Sequence, residues 1–169
     1  MARLSNRVAV QLFRRLPWLG DLWAARRSFV EGRAIPWATL RRPLARCRVA
    51  LVTTAGVHCV GDTPFDMRDR NGDPTFRVIP VETPGRDMTI THDYYDHAAA
   101  DRDINVVLPI DRLREAHAAG RVGGIGPRLY SFMGHVDGPH VATLVEVTAP
   151  QLAKHLVDDG VDAVVMTPA

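Results

Sequence analysis

Cysteine is scarce in this 169-residue chain: Cys47 and Cys59 are the only two. Twelve positions apart, they make neither a C-x-x-C redox pair nor a zinc knuckle, and in a reducing compartment they read as free thiols. Long apolar runs are also missing. No stretch approaches the roughly 18 apolar residues that a membrane-spanning helix needs. Arg3, Arg7, Arg14 and Arg15 are not followed by the uninterrupted apolar core of a secretory signal. These absences make the cytoplasm the expected compartment. Three catalytic signatures are absent as well: G-K-[ST] for a phosphate loop, H-E-x-x-H for a zinc hydrolase, and G-x-S-x-G for a serine hydrolase. No internal repeat or low-complexity tract occurs.

What is present describes an ordinary globular domain. Apolar residues make up 46% of the chain and charged ones 24%, enough to build one core. The net charge of +2 conceals an asymmetry: residues 1–48 carry +9, all of the positive charge from arginine, and the remainder carries −7. A basic arm of this kind suits nucleic acid, a membrane surface, or an acidic protein surface. Its apolar helical pattern and lack of lysine favour the protein surface, so neither nucleic acid nor membrane is expected as a partner.

Within the arm, Ala9, Leu12, Phe13 and Leu16 form one stripe of a helix that Pro17 and Gly20 are expected to break. A second helix is expected over 21–31, capped by Asp21, with an irregular connector through Pro43. From Arg48 the character changes. Residues 49–54 are a continuous apolar and β-branched run, the pattern of a strand buried on both faces. Further strands are expected over 76–79, 105–108, 128–132 and 161–166. Helices are expected over 111–119, with Asp111 as cap, and around the stripe Ala149, Leu152, Ala153 and Leu156, with Pro150 in its first turn. The expected fold class is therefore α/β: a layered, mainly parallel sheet flanked by helices, preceded by a basic helical N-terminal arm. The expected division is an arm over 1–47 and an α/β domain over 48–169.

Four segments carry chemically useful side chains. Thr53-Thr54-Ala55-Gly56-Val57-His58 ends the first strand with hydroxyls, a glycine that admits close backbone approach and a histidine suited to acid–base work. Asp66, Asp69 and Asp73 surround a strong Asn-Gly-Asp-Pro turn but lack the EF-hand spacing. His92 and His97, with Asp93, Asp96, Asp101 and Asp103, are a possible divalent-metal set, although i, i+5 histidines share a helix face poorly. The glycines of 120–126 follow a helix instead of opening one, which argues for a connector over a phosphate cradle. None of these segments contains an evident nucleophile.

Several blocks resemble a known family when taken together and in order. They are residues 49–58, Pro64-Phe65-Asp66, Gly72 with 73–80, residues 101–113, Tyr130-Ser131-Phe132-Met133-Gly134, and residues 159–168. Over about 40–169 the chain resembles the selenoprotein B family of glycine, betaine, sarcosine and D-proline reductases. The resemblance implies reductive cleavage of a carbon–nitrogen bond in a small amino-acid substrate. In such enzymes a selenocysteine or cysteine attacks the substrate carbon and a dithiol finally supplies electrons, which is nucleophilic catalysis by an anionic chalcogen. No bound cofactor or metal is expected in this chain. The resemblance does imply other reductase subunits as partners, including a pyruvoyl-containing one in the glycine and D-proline enzymes. The family selenocysteine falls just after the strand matching 161–168, so it would follow Ala169, and a UGA codon read as a stop is expected there. Pocket residues expected from strand ends and matched blocks are His58, His92, Tyr130, Asp66 and Asn105. Two other classes remain open: a short non-catalytic binding or scaffold subunit, and a metal-dependent hydrolase using His58, His92 and His97.

Overall fold

The structure, a computed structural model, describes residues 8, 11, 12, 15–24 and 38–169. Most of the expected arm, including the helix over 21–31 beyond Ala24, lies outside the described residues. One compact unit comprises Leu40–His92 and His97–Ala169. The described residues before Leu40 fall with Asp93–Asp96 in another.

In the smaller unit, α1 spans Pro17–Ala24. Pro17 opens this helix directly after Leu16, where the helical stretch that includes Val8, Gln11, Leu12 and Arg15 stops; the first helical position needs no N–H donor and proline already has the required φ. Gly20 lies inside it.

The larger unit is built around β1 (Arg48–Thr53), buried at every position after Arg48. The strand has neighbours along both edges. On one side lie β5 (Gly124–Ile125), parallel at its start, and β6 (Arg128–Ser131), parallel at its end. On the other side β7 (Ala163–Thr167) runs parallel along residues 49–53. β3 (Arg77–Pro80) closes the sheet antiparallel to β6. The fold is α/β, with a mixed sheet. A separate antiparallel pair joins β2 (Val57–Cys59) to β4 (Met88–Ile90).

Several expectations need correcting. Residues 105–108 form no strand; Ile104–Val106 is a 3-10 turn capped by the Asp103 side chain, which accepts from the Asn105 amide. The local Asx interaction wins over the β-branched pattern. Part of the glycine-rich connector is a strand, β5. α2 spans Ile110–Ala118, so Asp111 sits in its first turn and is not its cap. The last helical stretch begins before Ala149: α3 (His140–Thr143) runs through a π-helical turn (Leu144–Thr148) into α4 (Ala149–Asp158). Pro150 cannot donate to the preceding turn, and a widened turn accommodates that missing bond. β7 matches the strand expected over 161–166, and its Val165 and Met166 are 46% and 68% exposed, because no described element covers that edge of the sheet.

One core cluster joins Val52, Tyr130, Phe132 and Leu152, with Phe76, Val78, Leu144 and Leu156 packed around it. It fixes α4 on one sheet face. Tyr130 is fully buried, edge-on to Phe76 at 6.0 Å between ring centroids. Its hydroxyl donates to Asp159 Oδ2 at 3.1 Å. Burial, opposed by Arg128 and reinforced by Asp159, pushes the phenol up to about 12. Tyr130→Phe keeps the ring and loses one hydrogen bond to a carboxylate, so denaturant melts should show a loss of about 1.5 kcal/mol.

Candidate functional site

In open α/β sheets, loops beyond the carboxyl ends of the strands converge, and ligands bind there. Here those ends are held together by a set of main-chain bonds. Thr54 N–H donates to Thr167 O at 3.1 Å, Phe132 N–H to Thr53 O at 2.9 Å, Gly56 N–H to Phe132 O at 2.8 Å, and Thr91 N–H to Gly56 O at 2.9 Å. Four loops, following β1, β4, β6 and β7, are thereby tied into one cluster.

Two glycines make the approach possible. Gly56 has φ +71, and a Cβ there would stand 2.6 Å from Thr91 O and 2.9 Å from His92 Cβ. Gly134 has φ +72, and its Cβ would stand 2.6 Å from Thr54 O and 3.3 Å from His92 Nε2. Any other residue would be strained in backbone and crowded in space. His92, buried at 5% exposure, is thus gripped between two positions where side chains are absent.

Hydroxyls line the same ends. Thr53 Oγ1 donates to Thr167 O at 3.2 Å and also accepts from Ala55 N–H at 3.2 Å. Thr167 Oγ1 donates to Val107 O at 2.6 Å. Ala169 N–H donates to Thr54 Oγ1 at 3.2 Å, so the residue after β7 and its proline lies on the β1 loop. His58, 3% exposed, points its Nδ1 at Cys59 O, 2.9 Å, and its Nε2 at Thr91 Oγ1, 2.8 Å. A carbonyl can only accept, so Nδ1 carries a proton, and in the neutral ring Nε2 accepts from the Thr91 hydroxyl.

The other expected pocket residues lie elsewhere or are already engaged. Tyr130 is tied to Asp159 beneath α4. Asp66 is exposed; its Oδ1 accepts from Arg68 N–H at 2.7 Å, and its own N–H donates to Asp73 Oδ2 at 3.0 Å. Asn105 bridges the start of α2, accepting from Asp111 N–H at 2.9 Å and donating to Asp111 Oδ2 at 2.8 Å. That bond first, and Arg114 second, hold the Asp111 carboxyl below its ordinary value. Of the five, His58 and His92 are therefore the two that the loop cluster brings together. The residues that sequence reasoning passed over are Gly134, Thr91 and Thr167. Only Gly134 carried a local signal, as a glycine directly after a strand.

Asp73 has a framework role. Burial raises its carboxyl, but hydrogen bonds from the Thr75 hydroxyl and from the Asp66 and Thr75 N–H groups, with Arg77 nearby, bring the balance below the ordinary value. Arg77 also donates to Thr63 O and Pro64 O and stacks 4.2 Å over the Phe65 ring. Phe65 in turn sits edge-on to His58 at 6.3 Å. The long 60–76 loop is thereby strapped against the second strand pair.

No activated thiol stands among the described residues. Cys47 is fully buried near the start of β1, and Cys59 is pushed up by burial and by Asp62 and Asp87, against a hydrogen bond with Thr83. A raised thiol is a poor nucleophile at neutral pH. No group of three or more His, Cys, Asp or Glu among the described residues is arranged to hold a metal ion. His97, the third histidine of the hydrolase reading, pairs with Asp101 at 2.8 Å. Among the described residues no helix is long and apolar enough to cross a membrane.

The family described as glycine/sarcosine/betaine reductase selenoprotein B matches residues 30–169. The D-proline reductase subunit gamma of Acetoanaerobium sticklandii is 37% identical over 78% of this chain and 52% of its own length. The betaine reductase complex component B subunit beta of Peptoclostridium acidaminophilum is 28% identical over 96% of this chain and 37% of its own. The glycine reductase complex component B subunit gamma of Carboxydothermus hydrogenoformans is 30% identical over 75% and 29%. The chain spans about half the length, or less, of these curated relatives. No solved structure matches it.

Proposed function

The chain belongs to the glycine/sarcosine/betaine reductase selenoprotein B family, and from that premise we propose that it is part of a subunit that reductively cleaves a C–N bond in a small amino acid. The nucleophile in this reading is a selenocysteine, or a cysteine, immediately after Ala169. Its anionic chalcogen gives an electron pair to the substrate carbon, a C–Se or C–S bond forms as the C–N bond breaks, and the nitrogen leaves with the bonding pair. A dithiol then breaks the C–Se or C–S bond: one thiolate attacks the chalcogen, the carbon leaves with the bonding pair and takes up a proton, and the second thiolate closes the disulfide and releases the selenolate or thiolate. Other reductase subunits act as partners, and one with a pyruvoyl group binds the amine where the substrate is glycine or D-proline.

The observation that carries this reading is the hydrogen bond from Ala169 N–H to Thr54 Oγ1. Ala169 thereby lies on the loop after β1, which also meets the loops after β4 and β6 close to His92 and Gly134. The described residues offer no activated thiol of their own, which fits a nucleophile supplied at that point. His58 and His92 line the pocket in this proposal.

The test begins with the codon after Ala169. An in-frame UGA followed by an open frame is expected. The extended selenium-containing product, assembled with its partner subunits and given a dithiol, should then release the amine, or in the case of D-proline open the ring. D-proline is assayed first because the D-proline reductase relative shares 37% identity. A UAA or UAG codon, or an extended complex inactive on all four substrates, would overturn the proposal and favour a short binding subunit.

A further inference from the structure

At the opposite end of β1 from the loop cluster, roughly 16 Å away for a six-residue strand, lies a cleft of about 300 Å³ lined by arginine and glycine. Arg42, Arg46 and Arg48 face it, against the single carboxylate of Asp162. Arg42 pairs with Asp162 at 2.7 Å. The other Asp162 oxygen accepts the Arg48 N–H at 2.8 Å, and Arg48 Nη1 donates to Asp159 O at 2.6 Å. Those bonds hold Arg48 in place without neutralising it, since a carbonyl carries no formal charge. Arg46 has no hydrogen-bond or ion-pair partner for its guanidinium among the described residues. The lining is left with a surplus of two positive charges.

The glycines shape this space. A Cβ at Gly123 would stand 2.5 Å from the Arg46 carbonyl carbon, so the backbone carrying Arg46 lies directly against that glycine. A Cβ at Gly160 would stand 3.3 Å from Arg48 Nη1, so glycine there leaves the guanidinium its position. At Gly124 a Cβ would meet nothing within 4 Å; the position opens on empty space.

We propose that this cleft binds a small phosphate-class anion, a phosphate ester or diphosphate, held by Arg46 with Arg42 and Arg48. Guanidinium forks match phosphate oxygens in pairs, and arginine keeps its charge at every physiological pH. The volume lies at the small end of ligand pockets, which suits a compact anion better than an acidic chain. The site is independent of the reductase reading, and neither depends on the other.

Inorganic pyrophosphate is the probe, titrated calorimetrically into the chain at about 0.05 M salt, where surface charge is only partly screened. One saturable site is expected. Arg46→Gln removes the unpaired guanidinium, and Gly124→Val fills the cleft without touching a charge in a strand that welcomes a β-branched residue. Each should weaken binding by at least about tenfold, with circular dichroism unchanged. If Arg46→Gln misfolds, Gly124→Val still decides. The proposal is overturned by the absence of saturable heat, by variants that bind like the parent, or by citrate binding as tightly as pyrophosphate, which would reduce the cleft to an unselective charged surface.

Discussion

Gly134→Ala should lower the stability of this chain by about 3 kcal/mol in urea melts, with a fall in Tm on the order of 10 °C. Two costs combine. Gly134 has φ +72, a region that costs an L-residue roughly 1–2 kcal/mol. The added methyl would also stand 2.6 Å from Thr54 O, and relieving an overlap with main chain costs a further 1–3 kcal/mol or so. Main-chain atoms cannot swing aside as a lysine tip can. The loop after β6 must retreat from the loop after β1, and His92 loses the wall it rests on. Gly61→Ala is the control. Its φ is +96, but a Cβ there meets nothing within 4 Å. The backbone cost is then partly offset by the reduced freedom of the unfolded chain, and the net change should stay within about 1 kcal/mol. Equal losses at the two sites would show that crowding at the strand ends does not matter, and would remove the physical basis for the loop cluster as a precise site.

The contrast between these glycines also explains how much of the molecule could be read in advance. β1, β6, β7 and the helix around Leu152 were legible because apolar periodicity reports burial, and burial selects element type. The segment 105–108 has the same apolar signal and forms no strand. There the Asp103 side chain caps a turn and Asn105 caps the helix that follows, so local polar chemistry outweighs pattern. The mixed sheet was not legible, because the direction of β3 depends on the path of the 60–76 loop. That path is fixed by side-chain contacts within the segment, Arg77 with Thr63 and Phe65 and Asp73 with Asp66, which leave no periodic signal. The candidate site divides in the same way. Thr53 to His58 stood out as a strand end with a glycine and a histidine. Thr91, Thr167 and Gly134 did not, since their roles exist only once four separate loops meet. Tyr130 stood out for the right reason, a hydroxyl in a matched block, yet its hydroxyl is committed to Asp159.

That commitment leads to the second large effect. Asp159→Ala should cost about 3 kcal/mol, because the carboxylate at the end of α4 accepts three hydrogen bonds from β6, two from Arg128 and one from Tyr130. Arg128 Nε and Nη2 donate to its two oxygens at 2.9 and 2.7 Å, a bidentate pair that ties β6 to the helix. Tyr130 donates to the same carboxylate from the core, and the Asp159 main-chain carbonyl accepts from Arg48 at the start of β1. The Asp159 side chain is only 10% exposed, so water replaces these partners poorly, and hydrogen bonds to a charged group each contribute about 1.5–3 kcal/mol. The electrostatics give the pH dependence its sign. The Arg128 hydrogen bonds hold the Asp159 carboxyl below its ordinary value, with Tyr130 helping and burial opposing. The folded state therefore binds this proton less readily than the unfolded chain does. The resulting stability is present above the ordinary carboxylate value of about 4 and is lost as pH falls through the lower, folded value. Asp159→Asn keeps the shape and removes the titration. Its stability should fall less steeply than the parent's on the acid side of about pH 4, while Asp73, lowered in the same direction, leaves both proteins a residual slope. Parallel acid limbs for parent and Asp159→Asn would mean that the carboxylate is not held in its charged form by Arg128, and that α4 is fixed to the sheet by apolar packing alone.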